Sequence, residues 1–169
     1  ARHVAEVRRL VPGARVVLQL DEPSLPAVLT GALTTVSGFG RLRPVEEPVV
    51  IEGLRAVLDS ARAAGATLTV VHSCAAEVPI PALVRAGVQA VSLDVALLAR
   101  EGWEAVAAAV EQGVALWAGV RTGPPEEMAD AVWTRWRRLG LDSARAASVV
   151  LTPPCGLAGA ASPSAARAV

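Results

Sequence analysis

Lysine, asparagine and tyrosine are absent from the 169 residues, and each absence removes chemistry. All 16 basic side chains are therefore arginines. Without lysine no Schiff base can form, and no phosphate loop of the GxxxxGK[ST] kind can be built. The formal net charge is zero, so no overall field draws the chain to nucleic acid or to a membrane surface, and neither is expected as a partner. Recognition must be local. No apolar run approaches the roughly 20 residues that span a bilayer, and the first residues do not read as a secretory signal. The two cysteines, Cys74 and Cys155, are too few for a disulfide framework, which leads us to expect a reduced, cytoplasmic setting.

What is present suits one buried core, since 53% of the residues are apolar in a chain of ordinary domain length. Five short segments rich in aliphatic and β-branched residues recur, at 15–20, 67–71, 89–93, 114–117 and 148–151. Their apolar runs are continuous rather than alternating, as in Val16-Val17-Leu18 and Val149-Val150-Leu151, which predicts parallel strands covered on both faces. Helical spacing marks 45–64, 81–86, 103–112 and 125–139, followed by Gly65, Gly87, Gly113 and Gly140 as C-terminal stops. A repeated helix, glycine, strand unit makes an α/β fold with a parallel sheet, either doubly wound or a (β/α)₈ barrel. Five strands cannot close a barrel of eight. The row begins Ala-Arg-His-Val without methionine, and its end reads as a helix starting at Ser162-Pro163, so residues 1–169 are expected to be a single partial domain truncated at both ends. The stretch 21–44 is long for a βα connection and suggests a mobile lid or binding loop. Its Gly38-Phe39-Gly40 reads as a turn before it reads as a phosphate site.

Residues able to do chemistry gather where strands end. Asp21 and Glu22 follow the first strand, His72 and Cys74 the second, Asp94 the third and Cys155 the last. In both parallel architectures that is the face on which active sites are built. His72 and Cys74 are two residues apart, which on an extended segment turns both side chains to one side and lets them share a metal. Imidazole with two thiolates suits Zn²⁺, and Cys155 is placed to join them. Spacing alone leaves such a site evenly matched against two ordinary buried cysteines. A Ser73-His72-Asp94 triad is unattractive, because adjacent residues on a strand point apart. Glu46-Glu47 and Glu126-Glu127 stand at helix starts, where acidic groups favour the dipole. Trp133 and Trp136 share a helix face as packing residues, beside a solvated rim of Arg135, Arg137 and Arg138.

Four stretches together carry a family likeness: Leu18-Gln19-Leu20-Asp21-Glu22-Pro23, Val71-His72-Ser73-Cys74, Gly87-Val88-Gln89-Ala90-Val91-Ser92-Leu93-Asp94, and Thr152-Pro153-Pro154-Cys155-Gly156-Leu157. In order and spacing the chain resembles the C-terminal catalytic domain of the cobalamin-independent methionine synthase family, in its shorter actinobacterial form. The resemblance implies that the five strands are the last five of a (β/α)₈ TIM barrel. It implies Zn²⁺ held by His72, Cys74 and Cys155, and homocysteine held partly through its amino group by Asp21. The activity implied is methyl transfer to the homocysteine thiol, as in methionine synthesis. The chain departs from the family at two points. Asp94 stands where the family has a glutamate as fourth metal ligand, one methylene shorter, and is expected to be at most a weak or displaceable fourth ligand; no histidine follows the fourth strand, in Leu116-Trp117-Ala118-Gly119-Val120-Arg121-Thr122. The methyl donor expected is accordingly a folate or a methylated corrinoid. A non-catalytic or differently specific zinc-binding descendant of the barrel is the alternative. Open sheet edges predict self-association.

Overall fold

The computed structural model describes residues 1–121 and 123–156. Its elements run α1 (Arg2–Leu10), β1 (Val17–Asp21), α2 (Leu25–Thr30), α3 (Glu47–Ala63), β2 (Leu68–Ser73), α4 (Ile80–Ala86), β3 (Ala90–Asp94), α5 (Arg100–Glu111), β4 (Ala115–Gly119), α6 (Pro125–Arg138), α7 (Ser143–Ala146) and β5 (Val150–Thr152). All five strands are parallel, and the sheet order is β1-β2-β3-β4-β5. The expected helix at Ser162-Pro163 lies outside the described residues.

Sequential order decides between the two architectures that the sequence left open. A doubly wound sheet reverses its strand order at a switch point, and this one never does. Because parallel crossovers share one hand, unidirectional winding puts every connecting helix on the same face. One core cluster shows this: Val71, Val91, Leu93 and Leu116 of the sheet pack with Leu58 of α3, Leu83 of α4, Val106 of α5 and Trp136 of α6. The result is a partial, barrel-like (β/α) unit whose other face is turned inward. Along that inner face the register aligns Asp21, His72, Ser92, Trp117 and Val150 in a single row.

Each expected strand lies one or two residues too early. Aliphatic runs mark the buried middle of a strand, whereas the backbone ladder runs on through Asp21, His72, Ser73, Asp94, Gly119 and Thr152, because ladder bonds join peptide groups whatever the side chain. The chemical residues expected after the strands therefore include several that belong to their final turns of the ladder, and their side-chain directions are fixed by the pleat. The stretch 21–44 is also more regular than expected. Its first part is α2, ended by Gly31 in the left-handed region, and its second part is a small turn bridged at Thr34 and Arg41. Gly38 takes a φ of 76° at the tip, so the GxG is a turn, with Val36 and Phe39 in solvent.

The remaining structural readings hold. Glu46 is the N-cap residue of α3, with Glu47 in its first turn, and Glu126 and Glu127 occupy the first turn of α6. Trp136 is buried and its indole N–H donates to the Asp142 carbonyl at 3.0 Å. Trp133 packs against the core and stacks under the Arg137 guanidinium, 5.8 Å from the ring centre.

Candidate metal centre

Strand pleat explains which side chains meet. In β2 Ser73 turns to the helix layer and is buried there, so no triad forms with His72. His72, one residue earlier, points to the inner face. Its Nδ1 lies 3.0 Å from the Ser92 hydroxyl of β3. In the tautomer with the proton on Nδ1 that bond is donated to Ser92 Oγ, and the Nε2 lone pair is left to meet a cation. Cys74 follows directly beyond the end of β2.

Cys155 has further to travel. Two strands separate β2 from β5, so on a flat sheet their ends would stand about 14 Å apart. The sulfurs of Cys74 and Cys155 are 4.0 Å apart. Convergence is achieved because the chain after β5 folds back over the end of β4 at Pro153-Pro154. Gly119 permits this: a Cβ there would lie 2.7 Å from the Pro154 Cα and 2.8 Å from the Leu93 carbonyl oxygen. Only glycine lets these backbones come so close.

His72, Cys74 and Cys155 thus form a group that could hold a metal ion, with their ligand atoms all within 4.8 Å of one another. Two thiolates on one tetrahedral ion at about 2.3 Å would stand about 3.8 Å apart, close to the separation found. Both cysteines are free. Partial burial pushes the Cys74 thiol above its ordinary pKa, and the Cys155 sulfur and the Asp94 carboxylate push it further the same way. A cation bound beside the sulfurs would oppose this and favour the thiolate form.

Asp94 stands apart from the three. Its Oδ1 accepts from the Ala96 backbone N–H at 3.0 Å, an Asx turn that caps the end of β3, and it is not among the clustered ligand atoms. Asp21, the last residue of β1, is exposed, and its Oδ1 accepts from Gln19 Nε2 at 2.7 Å. Asp21 and the three clustered residues line one cavity of about 390 Å³, together with Ser92 and Thr152. The Thr152 hydroxyl is buried with no hydrogen-bond partner among the described residues.

Ser92, Gly119 and Thr152 were missed by sequence reasoning. One of them was signalled: Ser92 is a lone hydroxyl inside Val91-Ser92-Leu93, where an apolar strand has no use for it unless it has a partner. The role of Gly119 is invisible without the fold, since the atoms that require it come from Leu93 and Pro154. Among the described residues, no helix is long and apolar enough to cross a membrane. In comparisons with protein-family models and with curated proteins, the chain matches none.

Proposed function

We propose that this chain is a zinc-dependent methyltransferase that moves a methyl group onto the thiol of homocysteine, in the manner of the cobalamin-independent methionine synthases it resembles. The observation that carries the reading is the convergence of His72, Cys74 and Cys155 on one cavity that Asp21 also lines. Nitrogen and two sulfurs at these separations are the donor set Zn²⁺ prefers over magnesium or calcium, which take oxygen. Bound there, zinc supplies the positive charge that keeps a substrate sulfur as thiolate at neutral pH.

The chain's own residues do the rest. Ser92 holds the orientation of the His72 ring. Asp21 offers a carboxylate to the substrate ammonium, with its second oxygen positioned by Gln19. Asp94, engaged with Ala96, leaves a three-residue ligand set, and a three-residue set is what a catalytic metal needs to admit a substrate. In the transfer a sulfur–carbon bond forms as the donor's bond to its methyl group breaks and leaves its electron pair on the donor; the thiol proton passes to solvent, and a folate donor's nitrogen takes up a proton from solvent as it departs, whereas a corrinoid keeps the pair on its cobalt.

The test is to incubate the zinc-loaded chain with homocysteine and either methyltetrahydrofolate or a methylated corrinoid, and to follow methionine by mass spectrometry alongside bound zinc. We expect methionine from at least one donor and a loss of ten-fold or more in Asp21→Asn with zinc retained, the order of a charge-assisted contact. Stoichiometric zinc with no methionine from either donor would overturn methyl transfer and leave the zinc-binding barrel descendant.

A further inference from the structure

Behind the loop that carries Cys155, on the helix side of the sheet, lies a second and larger cavity of about 720 Å³. It exists because neighbouring helices are unevenly spaced. Helix α3 packs on α4 and α4 on α5, whereas α5 and α6 scarcely touch. The gap is floored by Val95, Leu98, Trp103 and Val120, which are largely buried beneath it. Met128 and Pro154 form part of its sides. A shallower extension of about 460 Å³ continues between the same two helices, sharing Leu98, Trp103 and Arg135.

The charges around this groove are not balanced. Arg100, Arg121, Arg135 and Arg138 line its two parts, against Glu104 and Glu127. Arg100 is spent on Glu104 at 2.8 Å. Arg121, Arg135 and Arg138 make no ion pair among the described residues. A chain with no net charge therefore concentrates a positive surplus at the rim of an apolar slot.

The geometry points to a binding site for a small organic anion with a flat apolar body, lodged between α5 and α6 with its anionic group toward Arg121 and Arg135. The volume falls in the range of small-molecule pockets, and an apolar floor with a few convergent polar groups is their usual lining. Guanidinium groups are suited to carboxylates, sulfonates and phosphates because their planar fork donates two parallel hydrogen bonds. A macromolecular partner would need a contact face of roughly 1,000 Å² or more, which a slot between two helices does not offer. Cys155 lines this groove as well as the metal cavity, so the loop after β5 is the partition between the two. The site stands on its own whether or not methyl transfer occurs next door.

The probe is naphthalene-2-sulfonate, titrated into the whole chain while the four indole N–H signals are followed by NMR. Trp103→Phe identifies the relevant signal. We expect the Trp103 resonance to shift saturably, with the neutral 2-naphthylmethanol binding about tenfold or more weakly, as the loss of a charge-assisted contact requires. The double variant Arg121→Gln, Arg135→Gln should weaken naphthalene-2-sulfonate by at least that factor. Both arginines are exposed, and circular dichroism verifies that the fold is kept. Ala131→Trp, on the α6 wall of the groove, should block binding by filling it. The assignment is overturned if no saturable binding occurs at millimolar probe. It is equally overturned if only the Trp133 or Trp136 signals move, which would place the probe on the far side of α6, or if the double variant binds unchanged.

Discussion

Replacing Gly119 by alanine is the sharpest available perturbation of the metal centre, because it touches no ligand. The added methyl would sit 2.7 Å from the Pro154 Cα and 2.8 Å from the Leu93 carbonyl oxygen. Both are backbone atoms, so neither can swing aside as a side chain would. An ordinary contact needs about 3.4 Å or more, and the cheapest relief is for Pro154 to lift from the end of β4 by roughly 0.7 Å. Cys155 is the next residue and moves with it. Metal sites accept ligand displacements of only about 0.2 Å, so the strain falls on the bond from Cys155. Overpacking of this kind costs about 1–3 kcal/mol. Charged to metal binding, that range weakens zinc roughly 5- to 150-fold. Competition against a chromophoric chelator reads the affinity, and thermal melting of the metal-free protein reports whether the sheet survived. Gly156→Ala is the control: it is adjacent to Cys155, yet a Cβ there meets nothing within 4 Å among the described residues. Wild-type zinc affinity in a folded Gly119→Ala would refute the account of how Cys155 reaches the site.

Cys155→Ala should lose stoichiometric zinc by atomic absorption while Asp94→Ala keeps it, since only the former removes a clustered ligand atom. Ser92→Ala should weaken zinc about 10- to 100-fold by freeing the His72 ring, the usual effect of losing a partner behind a metal ligand; unchanged affinity would mean Ser92 is packing only. Because Cys74 is pushed above the ordinary thiol pKa, it must give up a proton on binding, and apparent affinity should rise with pH by about tenfold per unit for each proton released. In the metal-free protein the same shift works the other way: the unfolded thiol ionises first, so stability falls as pH climbs past the ordinary thiol value, as denaturant titrations at stepped pH would read. The edge strands leave Val17 of β1 and Val150 and Leu151 of β5 exposed, and sedimentation velocity should find self-association; a monodisperse, stable monomer speaks against sticky edges.

Much of this was legible because parallel α/β chains write their layers in plain composition. Continuous aliphatic runs such as Val70-Val71 and glycine stops such as Gly87 fixed the order of elements, and polar residues at the run ends located the chemical face. Boundaries were less legible, because a histidine or aspartate that ends a ladder interrupts the apolar signal but not the hydrogen bonds. Helix α1 escaped notice because a segment as charged as Arg2–Leu10 hides a single buried side chain, Val4. For the site, His72 and Cys74 could be paired from pleat alone. The distance to Cys155 could not, since it depends on a backbone crossing at Gly119 and Pro154 that no local pattern records.

The brevity of β5 has a mechanical consequence. Three residues, paired among the described residues only with β4, make a weak rung, and the cysteine just beyond it is separated from Cys74 by 81 positions in sequence. An ion gripping both sulfurs closes that span as a crosslink would, removing from the unfolded chain on the order of 4 kcal/mol of loop freedom. A metal bound there would act as a clasp. Without it, so short a strand would be poorly placed to hold the loop that follows it. Metal occupancy would in this way govern how firmly the loop after β5 is held against the end of β2.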